Sequence, residues 1–125
     1  MSTRWIRPLF LFSGLYDALL GIVFVPFGAE VFRHTGVTPP NHMGYVEFPS
    51  LLLIVFGIMF LRIAGDPRGR RELILYGMGL KVSYCSVVFW YQLHGGVPAL
   101  WLPFAWADVV FLALFYAAWR SLREA

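Results

Sequence analysis

The sequence predicts an all-α, polytopic integral membrane protein, a four-transmembrane-helix bundle with both termini cytoplasmic. Three observations carry that prediction. Hydrophobic residues make up 59% of the 125 residues and charged residues only 14%, against roughly 25% charged in an average soluble domain. The apolar residues gather into four runs, each close to the ~20 residues that cross a ~30 Å hydrocarbon core as a helix. Arginine placement is one-sided. Arg4, Arg7, Arg62, Arg68, Arg70, Arg71, Arg120 and Arg123 fall at one end of such a bundle, and Arg33 alone falls at the other. Positive residues stay on the cytoplasmic side, which places both termini inside.

The first span is expected from about Trp5 to Phe27. Arg4 and Arg7 ahead of Leu9–Phe12 imitate the start of a secretory signal. Asp17 interrupts the apolar region, however, and no small-x-small cleavage site precedes the next turn signals, so a retained first helix is expected. The polar segment Arg33-His34-Thr35-Gly36-Val37-Thr38-Pro39-Pro40-Asn41-His42 follows. The second span runs from about Met43 to Ala64 and ends in the short turn Gly65-Asp66-Pro67-Arg68-Gly69-Arg70-Arg71. The third runs from about Glu72 to Leu93 and is broken by His94-Gly95-Gly96-Val97-Pro98. The fourth runs from about Ala99 to Trp119 and leaves a charged tail. The runs are long and do not alternate, which argues against barrel strands. The chain is too short for a second domain. Trp5, Trp90, Trp101 and Trp119 lie near span ends, where interfacial tryptophans are common.

The net charge of +3 does not point to nucleic acid, because membrane orientation accounts for most of the arginines. Cys85 is the only cysteine, so neither an intrachain disulfide nor an all-cysteine metal site is possible.

Charges at bilayer mid-depth are costly and usually face a partner or a water-filled cavity. Asp17 lies ten residues from Arg7 and Lys81 ten from Arg71, which puts both about 15 Å from the inner arginines at 1.5 Å per residue. Asp108 lies twelve residues from Arg120, about 18 Å away. Three helices therefore bring ionisable groups to one layer, where Lys81 can bridge one or both aspartates. Glu47, fifteen residues from Arg62, lies about 22 Å along its helix. It is either partly buried, the reading favoured because arginine snorkels more easily than glutamate, or it sits in the outer headgroup layer. The acids outnumber Lys81, so a bound proton, a cation, a donor-rich ligand or a partner must supply the balance.

Gly14, Gly21 and Gly28 recur every seven residues, a spacing that lets helices approach closely and would press Asp17 against a neighbour. Lys81, Tyr84, Val88 and Tyr91 share one face of the third helix and lead outward. This is either a polar path or ordinary packing. Trp101, Phe104, Asp108, Phe115 and Trp119 line up on the fourth, as an aromatic-walled cavity or as a packing face. His34, His42 and His94 all fall on the outer side. With carboxylates nearby they are weak candidate metal ligands, since no pair has a helical ligand spacing. No phosphate loop, nucleophile elbow or paired-cysteine motif is present, and the sequence requires no cofactor.

In size, in its two short outer connections and in the basic turn Asp66-Pro67-Arg68-Gly69-Arg70-Arg71, the chain resembles the small four-helix bacterial membrane proteins called DoxX-like. That resemblance implies a bacterial cytoplasmic membrane location. Some members of the group look like subunits of membrane oxidoreductases. The length and first-helix Asp17 are also similar to small multidrug transporters, while the strong arginine bias and Lys81 depart from them.

Three functions stay open. The expected one is a non-catalytic subunit or a component binding a lipid-like or quinone-like ligand, with the bilayer, a homo-oligomer or a membrane complex as its partners. The alternatives are a proton- or cation-coupled transporter acting as an oligomer, and a membrane enzyme using a buried aspartate as general acid–base.

Overall fold

The computed structural model describes residues 2–124, and among them the regular elements are four helices. They are α1 (Ile6–Thr35), α2 (Gly44–Gly65), α3 (Arg71–Leu93) and α4 (Trp101–Glu124). All four are long and apolar enough to cross a membrane.

The main departure from the sequence reading is the length of α1. It continues two turns beyond Phe27 to Thr35, 30 residues in all, or about 45 Å. Its path goes through Pro26, which is exposed and removes one helical hydrogen bond. Packing explains why the helix survives. Phe24 and Phe32 lie on the same face, are both buried, and both meet the Trp101 ring, at centroid distances of 6.2 and 5.8 Å. Stopping at Phe27 would strip Phe32 from that cluster. The helix ends at Gly36, whose φ of 72° is left-handed and whose N–H donates to the Phe32 carbonyl. Val37 N–H donates to the same carbonyl at 3.0 Å, closing a Schellman-type cap. The segment read as a polar connection is thus in part the last turn of α1, where Arg33 pairs with Glu30.

Helices α1 and α2 run antiparallel with their backbones nearly touching. A Cβ added to Gly14 would lie 2.8 Å from the Gly57 carbonyl oxygen, and one added to Gly21 would lie 2.3 Å from that of Ser50. The glycine stripe therefore faces α2, and α2 answers with Gly57. Helices α3 and α4 form a second antiparallel pair. The pairs are extensive within themselves and meet more sparingly, α2 with α3 and α1 with α4.

The two hairpins join most tightly at the end that carries the chain termini and the α2–α3 turn. Phe10, Phe60 and Phe115 are fully buried there, with Phe10–Phe115 centroids 4.8 Å apart and Phe60–Phe115 centroids 5.1 Å apart. Ile6, Ile63, Ile74 and Ala118 complete this core. Gly77 makes room for Phe60, whose ring would lie 2.4 Å from a Cβ at that position. Two arginines cross between helices at this end. Arg7 Nε donates to the Ala64 carbonyl at 2.9 Å, and Arg71 Nε donates to the Trp119 carbonyl at 2.8 Å. Arg7 satisfies a carbonyl in the last turn of α2, which the helix itself leaves open.

Candidate functional site

Immediately beyond the aromatic core, Asp17, Lys81 and Asp108 come together in one layer. Lys81 is 1% exposed, although the bundle is a single thin layer of helices around it. Its Nζ donates to Asp17 Oδ1 at 3.2 Å and to Oδ2 at 3.0 Å. The same nitrogen lies 3.1 Å from Asp108 Oδ1. An ammonium has three protons, and these three contacts account for all of them. Asp17 is thereby held at both oxygens and Asp108 at one.

Aromatic rings fill the rest of the lysine's surroundings. Phe111 lies 4.9 Å from Nζ, and Tyr16 and Phe60 each lie 5.7 Å away, measured to ring centroids. All three are within the ~6 Å reach of a cation–π contact. The sequence reading singled out none of the three. The signal was present, since Phe111 is one helical turn from Asp108 and Tyr16 adjoins Asp17 in the chain. Phe60 comes from α2, a helix with no buried charge to draw attention to it.

On the side of the layer away from the termini, the bundle opens into a cavity of about 420 Å³. All four helices line it. Tyr16, Asp17, Leu20 and Phe24 come from α1; Ser50, Leu53 and Phe56 from α2; Leu80 and Tyr84 from α3; and Trp101, Phe104 and Asp108 from α4. Both aspartates form its floor. The wall residues Tyr45, Pro49 and Leu52 of α2 are themselves exposed, so the cavity communicates with its surroundings through that wall. Ser50 and Tyr84 on the wall are already committed as donors. Ser50 Oγ donates to the Val46 carbonyl at 2.6 Å, and Tyr84 Oη donates to the Trp101 carbonyl at 2.9 Å.

The remaining residues predicted from sequence lie outside this arrangement. Glu47 is exposed in the first turn of α2, which corrects the reading that favoured its burial. Val46 and Ser50 line the cavity, and Glu47, one residue on from Val46, points off that face. A carboxylate in a first turn also gains from the helix dipole. Tyr91 is 57% exposed, so the α3 face running from Lys81 leaves the interior after Val88. Ser83 and Ser86 turn back to carbonyls of their own helix. On α4, Trp101, Phe104 and Asp108 belong to the cavity, Phe115 belongs to the aromatic core, and Trp119 lies under Arg71 at 4.3 Å.

His34, His42 and His94 are all exposed. His42 Nδ1 accepts from the Gly44 N–H at 2.9 Å, while His94 stacks on Trp90 with centroids 4.2 Å apart. Among the described residues, no three His, Cys, Asp or Glu side chains are grouped to hold a metal ion. Comparison with protein-family models, curated proteins and solved structures gives no match.

Proposed function

We propose that this chain is an integral membrane protein whose bundle holds an elongated, mostly apolar small molecule, as a non-catalytic ligand-binding component. The cavity carries this reading. Its volume of about 420 Å³ falls within the roughly 300–1,000 Å³ of small-molecule sites, which are typically apolar with a few polar groups. Leucine, phenylalanine and tryptophan dominate its walls, and Asp17 and Asp108 bring two carboxylates to it.

Large apolar side chains are exposed on every helix, for example Phe12, Phe48, Val87 and Trp106, which suits a lipid surround. The arginine bias supports placing the termini in the cytoplasm, with the cavity in the outer half of the bilayer. Transport is the weaker alternative. A path through the bundle would have to pass Phe10, Phe60 and Phe115, which fill the interior on the other side of the charged layer. Acid–base catalysis is weaker too, since Lys81 engages both carboxylates.

Native mass spectrometry of the gently extracted protein tests the proposal. The wild type is expected to carry or take up a non-covalent apolar adduct, and Leu53→Trp, which fills the cavity, is expected to lose it. A wild type that takes up no adduct from added alkyl amines, alcohols or acids refutes it.

A further inference from the structure

We infer that the cavity selects a cationic amphiphile: an alkylamine whose ammonium pairs with Asp108 and whose chain lies against Leu53 and Phe104 toward Trp101. This inference rests on the ligand-binding reading above and specifies the ligand's chemistry. Charge is the first argument. With both carboxylates ionised, they share one ammonium at the cavity floor, which leaves a net single negative charge where the walls are apolar. In such surroundings an unbalanced charge is expensive. A fatty acid or other anion would add to it, and a neutral ligand would leave it standing. An ammonium group cancels it.

The unequal grip of Lys81 locates the pairing. Asp17 gives both of its oxygens to the lysine, whereas Asp108 gives Oδ1 alone. Asp108 also keeps 10% of its side chain exposed, against 2% for Asp17. The carboxylate with capacity left over is therefore the one that is accessible.

Hydrogen-bond polarity gives a third argument, independent of net charge. Ser50 and Tyr84 have already given their protons to backbone carbonyls. Toward an incoming ligand they act as acceptors, as the carboxylates do. Of the hydroxyls that line the cavity, those of Tyr16 and Tyr45 have no acceptor among the described residues. A quinone, which offers only acceptors, would meet acceptors at Asp108, Ser50 and Tyr84. An ammonium offers three donors. The quinone-like ligand expected from sequence is for this reason the poorer fit.

The test uses the full chain in nanodiscs of zwitterionic lipid and three probes of equal chain length: dodecylamine, dodecanol and dodecanoate. Chain-brominated forms of each quench tryptophan, and subtracting the signal of Trp101→Phe isolates the cavity from the surrounding lipid. The amine is expected to bind at least about tenfold more tightly than the alcohol, the equivalent of one charge-assisted hydrogen bond, and dodecanoate least. Asp108→Asn, which leaves a balanced Lys81–Asp17 pair, is expected to bring the amine down to the level of the alcohol. Alcohol or acid binding as tightly as amine in the wild type overturns the inference while leaving the ligand-binding reading in place. A folded Asp108→Asn that keeps the amine preference does the same. No Trp101-dependent quenching by any probe overturns both.

Discussion

Replacing Lys81 by methionine keeps the length of an unbranched side chain and removes the charge that holds the layer together. Two carboxylates would then face each other with side chains 2% and 10% exposed. Removing one partner of a buried ion pair costs about 3–5 kcal/mol, because the other charge is left uncompensated. Here the partner is shared, so the upper end of that range is expected. The triple variant Lys81→Met, Asp17→Leu, Asp108→Leu removes the whole network. Substituting a buried ion network by apolar residues is commonly neutral or stabilising by about 1–4 kcal/mol, so the triple variant should recover most or all of the loss. Equilibrium unfolding in mixed SDS–maltoside micelles, followed by circular dichroism and tryptophan fluorescence, measures both. A single variant that costs less than about 1 kcal/mol, or a triple variant no more stable than the single, would refute the reasoning. The triple variant also separates roles. It is expected to fold yet to show no preference for an amine, because the charge that selects the ligand is gone.

The same unfolding assay checks two further expectations. Gly14→Leu should cost at least about 1–3 kcal/mol by overpacking, since even a Cβ there meets the Gly57 carbonyl oxygen at 2.8 Å; Gly79→Ala, with nothing within 4 Å, should be neutral or gain up to about 1 kcal/mol of helix propensity. Phe60→Ala should cost about 3–5 kcal/mol, because the ring is fully buried, packs on Phe10 and Phe115 and covers Lys81. In a Cys85→Ser background, Arg68→Cys should react with an impermeant maleimide only from the cytoplasmic side and Thr38→Cys only from the opposite side; the reverse pattern would invert the proposed orientation.

Much of the fold was legible because the bilayer simplifies the code. Apolar run lengths give the number of helices, and Gly95 and Gly96, with φ of 126° and 93°, break the chain where the sequence reading put the turn between the last two. The end of α1 was not legible. Arg33, His34 and the nearby prolines read as a connection, while the partner that sustains the helix, Trp101, is remote in sequence. Counting residues from the arginines brought Asp17, Lys81 and Asp108 to one depth, since helical rise is nearly constant. The same count misled at Glu47, because depth along an axis says nothing about the direction a residue faces. An aromatic-walled cavity at Trp101, Phe104 and Asp108 was one of two readings of the fourth helix, but its extent across all four helices was not legible. Its α2 wall is built from residues such as Ser50 and Leu53, which carry no charge pattern and become a wall only when four helices are assembled.

Asp108 is the residue that a purely structural account leaves over. Lys81 and Asp17 alone would form a neutral, doubly hydrogen-bonded pair, and that pair ties α3 to α1, helices that otherwise share little contact. Asp108 ties α3 to α4, which already pack along their length, so little helix pairing is gained by a second acid. A neutral acceptor such as asparagine would serve the third lysine proton without the excess charge. The excess is tolerated next to a cavity and not within the aromatic core a turn away. A group that adds little to packing, carries the excess charge when both acids are ionised and borders the cavity described above is placed where a ligand can balance it. On the proposed reading, structure and recognition are divided between two aspartates that the sequence presents as equivalent.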